Sequence, residues 1–186
     1  MRKLLALVAL LLLSPTLLAN PDERLREANF APERPLAQVS LERKNQSVLR
    51  YLWADVYAAA LYTEPNVSAP QILDRQRSKR LELYYFRKIQ REDVIEAAWT
   101  TLNRQHDKAT LARLRSGLDA LHASFQNIAP GDRYALNYTT DSGLSLERNG
   151  KLAFTSTDPE LASAYLGIWL APNGLSDSLR SSLLND

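Results

Sequence analysis

Residues 47–63, SVLRYLWADVYAAALYT, are the longest hydrophobic run of the chain beyond its first nineteen residues, and how they are read decides the fold. The alanines favour helix, while Val56, Tyr57 and Tyr62 favour a pleated surface, so composition leaves Trp53 to Tyr62 open between the two. The boundaries arbitrate. Neither Gly nor Pro interrupts the run, a polar, turn-like segment from Arg43 to Ser47 precedes it, and Pro65-Asn66 follow it. A strand of roughly ten residues covered on both faces fits this frame, and it is predicted to be the central strand.

Upstream, Leu36 to Arg43 alternate apolar and polar residues, which predicts a half-buried strand, and Lys44-Asn45-Gln46 is the expected turn into the central one. Residues 20–35, polar and with three prolines, are expected to be an irregular N-terminal arm whose Phe30 docks on the body. Downstream, Ala69-Pro70 open a short helix, and the run DRQRSKR that follows reads as a solvated loop. Leu81 to Phe86 (LELYYF) alternate and predict another strand.

Two helices come next. Val94, Ile95, Ala98, Trp99 and Leu102 share one helical face, and Leu111, Leu114, Leu118, Leu121 and Phe125 recur at spacings of three and four until Pro130-Gly131-Asp132 stop the pattern. A three-stranded meander follows, from Tyr134, Leu136 and Tyr138 through Leu144 and Leu146 to Lys151–Thr155, closed by the hairpin pair Asn149-Gly150. Asp158-Pro159-Glu160 supply an N-cap, a proline at the first helical position and an acid favoured by the helix dipole. Leu161, Ala164, Tyr165, Ile168 and Trp169 form the stripe of that helix, and Ser176 caps a last one carrying Leu179 and Leu183. The order predicts an α+β domain over residues 36–186: a large antiparallel sheet with a layer of helices on one face.

The chain opens with Arg2-Lys3, an apolar stretch Leu4–Leu13 and Ser14-Pro15, the pattern of a secretory signal peptide over residues 1–19. The stretch is too short to span a bilayer, which needs about 20 residues, so periplasmic localisation after cleavage is expected, with membrane contact only through this segment. There is no cysteine, hence no disulfide and no lipoprotein anchor. Without Arg2 and Lys3 the 23 basic residues fall to 21, equal to the 21 acidic ones, which gives no support for a nucleic-acid partner. His106 and His122 stand apart with no ligands at metal spacing, so no metal is expected. Walker, dinucleotide and Gly-x-Ser-x-Gly motifs are missing, so neither a cofactor nor a hydrolase triad is expected.

The strings VYAAALY, KRLELYYFRKI, NIAPGDRYALNYT, NGKLAF and LGIWLAPNGLSDSLRSSLL together resemble the chalcone isomerase-like family, in the form of a secreted bacterial member, over nearly all of the chain from about Leu36. The resemblance implies a ligand cleft between a large antiparallel sheet and its helical layer. Plant enzymes of the family cyclise a chalcone using an arginine near the central strand, a threonine on it, a tyrosine and an asparagine at the first long helix, and a hydroxyl residue on the penultimate helix. The arginine falls on Arg50. The threonine falls on Tyr57, the tyrosine on about Gln90, the asparagine on Ala97 and the hydroxyl on about Ile168, beside Trp169.

Donors that stabilise a developing enolate contribute about 3 kcal/mol each, so these substitutions point away from catalysis. They also make the cleft more apolar. One arginine facing an apolar tunnel suits a fatty-acid carboxylate, and family members that bind fatty acids pair an arginine with a tyrosine there. The expected ligand-binding residues are therefore Arg50, Tyr57, Tyr62, Ala97, Ile168 and Trp169, with no catalytic residue among them. For Arg50 the alternative is an ion pair with Asp55 or Glu42. A chalcone isomerase-type intramolecular lyase, and an envelope protein whose cleft is filled by its own side chains, are the rival functions.

Overall fold

The computed structural model describes residues 20–185; the segment expected to be a signal peptide lies outside the described residues. The described chain runs α1 (Pro21–Ala28), β1 (Glu33–Leu36), β2 (Val39–Tyr51), β3 (Ala54–Thr63), a single 3₁₀ turn (Ala69–Gln71), β4 (Lys79–Tyr85), α2 (Arg91–Gln105), α3 (Lys108–Ser124), β5 (Arg133–Thr139), β6 (Gly143–Arg148), β7 (Lys151–Ser156), α4 (Pro159–Leu170) and α5 (Asp177–Leu184). The seven strands form one antiparallel sheet in chain order, with β4 and β5 paired although α2 and α3 separate them in sequence. This is the expected α+β arrangement.

Strand alternation makes β3 central to two cores. Tyr57, Ala59 and Leu61 face one side and pack with Leu81, Leu83 and Tyr85 of β4 and with the buried leucines of α2 to α5. Ala58, Ala60 and Tyr62 face the other, where Ala28, Phe30 and Leu41 cover them. The helical layer on the first face is held closely: a Cβ on Gly117 of α3 would stand 2.9 Å from Leu161 Cδ2 of α4.

On the second face Glu82, with no exposed surface, receives both nitrogens of a fork from Arg34 and further bonds from Arg80 and Arg133. A buried carboxylate survives only with such compensation. Burial pushes its pKa up, but the arginines outweigh that and hold it below the usual range.

The structure departs from the sequence reading at several places; the strand expected over Leu36 to Arg43 is divided between β1 and β2 by a tight turn at Ala37-Gln38, and the run expected to be a solvated loop ends in β4, where Lys79 is buried. Lys44 to Gln46 do not turn; they lie inside the thirteen-residue β2, which carries an irregularity between Arg43 and Asn45. Their polar side chains are satisfied in place, with Lys44 Nζ donating to the Val67 carbonyl and the Asn45 amide to that of Leu183. Ser47 to Tyr51 thus belong to β2, and the hairpin turns at Leu52-Trp53, where Leu52 takes φ 54°.

The N-terminal arm is not wholly irregular either. Asn20 accepts from the Asp22 N–H, Pro21 occupies the first turn with Asp22 and Glu23, and Asn29 closes the helix at φ 46°. These capping signals outweigh the segment's polarity. Phe30 does dock, as expected.

Candidate ligand-binding cleft

A β-bulge shapes the floor of a cleft between sheet and helices. Leu49 pairs with Tyr57, but Arg50 pairs with Asp55, leaving Val56 as an extra residue of β3. Val56 and Tyr57, consecutive in sequence, therefore both line the cavity instead of pointing to opposite faces. Tyr85, the β4 partner of Tyr57, completes the floor, with the two rings 5.3 Å apart and tilted by 59°.

The roof comes from α2 and α4. Asp93, Val94, Ala97 and Ala98 face the cavity from α2, and Tyr165, Ile168 and Trp169 from α4, one stripe at spacings of three and one. Small side chains at 97 and 98 leave the space open. Its volume is about 650 Å³, within the roughly 300–1,000 Å³ typical of small-molecule sites. The cleft is not filled by its own side chains.

Besides Arg50, Asp93 and Ser176, the polar groups that line it are phenols and the Trp169 indole. Trp169 Nε1 donates to the Tyr57 hydroxyl at 2.9 Å across the helix–sheet interface, so that hydroxyl keeps its own proton to donate. Tyr85 and Tyr165 add two further phenols to the lining. Burial raises the pKa of all three phenols, an effect only partly offset at Tyr57 by the indole N–H. They remain neutral donors and are poor candidates for a base.

Arg50 stands at the rim, where its Nε donates to Asp55 Oδ1 at 2.7 Å. Asp55 also accepts from Arg24 of α1 at 3.3 Å. Burial works against ionising Asp55, but the hydrogen bonds from Arg50 and Arg24 outweigh it and hold its carboxyl below the ordinary range. The ion pair considered as the alternative for Arg50 is thus formed, and it fixes the guanidinium beside the cavity.

Of the residues singled out from sequence, Arg50, Tyr57, Ala97, Ile168 and Trp169 come together around this cavity. Tyr62 does not. It lies five positions from Tyr57, an odd number, so alternation puts it on the opposite face, where its hydroxyl donates to the Ala31 carbonyl at 2.9 Å. Gln90 is the N-cap position of α2, outside the cavity lining.

Sequence reasoning missed Tyr85 and Tyr165 as lining residues. Both carried a usable signal: Tyr85 shares parity with Leu81 and Leu83, and Tyr165 is one turn before Ile168 and Trp169. Among the described residues no group of three or more His, Cys, Asp or Glu side chains could hold a metal.

Comparison with known proteins agrees with this architecture. A crystal structure of an Arabidopsis thaliana fatty-acid binding protein superimposes with a TM-score of 0.62 at 14% identity, covering 83% of this chain and 90% of that one. At that identity the likeness speaks for the fold. No curated protein sequence matches the chain. The chalcone isomerase-like family matches residues 24–185, from the first turns of α1 to the end of α5, and the chain belongs to that family.

Proposed function

We propose that the protein is a non-catalytic binder of an apolar carboxylate of the fatty-acid class, held in the cleft with Arg50 and Tyr57 at the head group and acting in the periplasm. The observation that carries this reading is the cavity: about 650 Å³ of space between sheet and helices, walled by aliphatic and aromatic side chains and furnished with neutral phenol donors. Apolar walls take the chain, and a few placed donors fix one end of it. Arg50, oriented by Asp55, supplies the cation at the rim, and a guanidinium stays charged there.

The fatty-acid binding protein of similar fold supports the ligand class. Catalysis is disfavoured by the residues themselves: Ala97 and Ile168 offer no donor where the family's enzymes place one, and buried Tyr57 holds its proton. The periplasmic assignment rests on the apolar segment at residues 4–13.

The test is mass spectrometry of lipids that co-purify with the protein from its native compartment, for wild type and Arg50→Ala. The reading expects fatty acids with the wild type and markedly less with the variant. Absence of lipid, together with no saturable uptake of added fatty acid, overturns it.

A further inference from the structure

We propose that the β2–β3 hairpin tip docks the mouth of the cleft on an anionic lipid bilayer, so that the ligand passes between membrane and cavity without crossing water. This rests on the reading of the cleft as a fatty-acid site.

The tip is built unlike a loop meant for water. Tyr51, Leu52 and Trp53 are 70%, 68% and 74% exposed, three consecutive large apolar residues on a protein that buries most of the others. The two other two-residue hairpin turns show what solubility and backbone geometry favour there: Asn149 and Gly150, both at positive φ, and Ala37-Gln38, a small and a polar residue with Ala37 at φ 53°. At the β2–β3 turn the same left-handed conformation is imposed on Leu52, at φ 54°, which L side chains with a Cβ resist. A leucine and a tryptophan at the apex give up turn preference and solvation together. Tyrosine and tryptophan are the side chains that settle at the water–hydrocarbon boundary of bilayers.

The tip is continuous with the cleft. Tyr51 is both part of the exposed patch and a lining residue, next to Arg50. On the neighbouring strand the Phe86 N–H donates to the Val56 carbonyl at the same end of the sheet. Arg87 and Lys88 follow it, both exposed and neither ion-paired among the described residues, and Ile89 then lines the cavity. Two such cations beside the apolar tip complement anionic headgroups. Against them the helical side of the rim carries Asp93, while Asp55 is held by Arg24 and Arg50.

The experiment is vesicle flotation, with the same N-terminus in every arm, on phosphatidylcholine vesicles with and without phosphatidylglycerol. The tip variant is Leu52→Asn/Trp53→Gly, which copies the Asn149-Gly150 turn and leaves folding intact or improved; the charge variant is Arg87→Gln/Lys88→Gln. Wild type is expected to float with phosphatidylglycerol vesicles, the tip variant to lose about tenfold or more in partitioning, and the charge variant to lose the preference for anionic over neutral vesicles. Transfer of a fluorescent fatty acid from vesicles should slow in the tip variant while its affinity in vesicle-free solution stays at the wild-type value.

Equal flotation of wild type and tip variant overturns the proposal. So does a tip variant that changes self-association in sedimentation without changing flotation, since the patch is then a protein contact. The vesicle-free titration separates the two ideas: no saturable uptake there defeats the reading of the cleft, whereas normal uptake with tip-independent flotation defeats only the docking.

Discussion

Trp169 Nε1 and the Tyr57 hydroxyl, 2.9 Å apart, join the penultimate helix to the central strand inside the cavity wall. Both side chains are buried, so breaking the bond leaves a polar atom without a partner. Tyr57→Phe and Trp169→Phe should each destabilise the protein by about 1–3 kcal/mol. Because they remove one shared interaction, the double variant should lose less than the two losses added. Denaturant unfolding of the four proteins checks this, and strict additivity would show that the bond contributes nothing.

Arg50 should discriminate head groups. Arg50→Ala is expected to weaken binding of a long-chain fatty acid by roughly 10- to 100-fold, the range of one to two charge-assisted hydrogen bonds, while leaving the corresponding fatty alcohol nearly unchanged. Calorimetric titration with both ligands separates loss of charge recognition from loss of the pocket. Equal weakening toward both would assign Arg50 to holding the hairpin base through Asp55.

His122 gives the protein a pH dependence of its own. It is 4% exposed, its ring stacks edge-on near Trp99 and tilts against Tyr165, and neither ring nitrogen has a partner among the described residues. Burial, aided by Arg91 and Arg115 and opposed by Asp119, lowers its pKa from 6.5 to about 4. Between those values the unfolded chain takes up a proton that the folded one refuses. Stability is therefore full above pH 6.5 and falls as the pH drops toward about 4, by at most about 3 kcal/mol. His122→Phe should flatten this part of the profile, measured by unfolding at pH 7 and pH 4.5. The carboxylates Asp55, Glu82 and Asp132, held below their ordinary range, lose their stabilising contribution only at lower pH.

Glu82 should tolerate substitution badly although it is far from the cleft. Glu82→Ala leaves Arg34, Arg80 and Arg133 crowded around a partly buried site without their shared anion, a loss of about 3–5 kcal/mol. A fall in melting temperature with fatty-acid affinity preserved in the folded fraction is the expected result, since this network lies on the face opposite the cavity.

Most of the fold was legible because its signals are local and mutually consistent: the alternation of LELYYF, the leucine ladder of α3, the Asp158-Pro159-Glu160 start of α4 and the Asn149-Gly150 turn each appear where expected. The hairpin turn was misplaced because polarity is a poor guide to a strand whose Lys44 and Asn45 find carbonyl partners far along the chain, in the loop after β3 and in the last turn of α5, and because nothing in Leu52-Trp53 announces a turn. The cleft was legible only in part. Arg50, Tyr57, Ala97, Ile168 and Trp169, singled out by resemblance, lie around the cavity, but Val56 reaches the wall through a bulge that no periodicity encodes, and Tyr62 lies away from it because parity separates it from Tyr57. Whether Arg50 pairs with Asp55 could not be read from spacing alone, since it depends on the same bulge.

The central claim is that the cavity itself takes the ligand, and filling it is the most direct test. Ala97 lines that space from α2 and is exposed, outside the packed core, so Ala97→Phe should reach into it with limited strain elsewhere. Titration of delipidated protein with a long-chain fatty acid is expected to give saturable one-to-one binding for wild type and a loss of at least about tenfold for Ala97→Phe, with the variant's melting temperature close to the parent's. Binding that is absent in the wild type, or that is unchanged when the cavity is filled, would contradict the account.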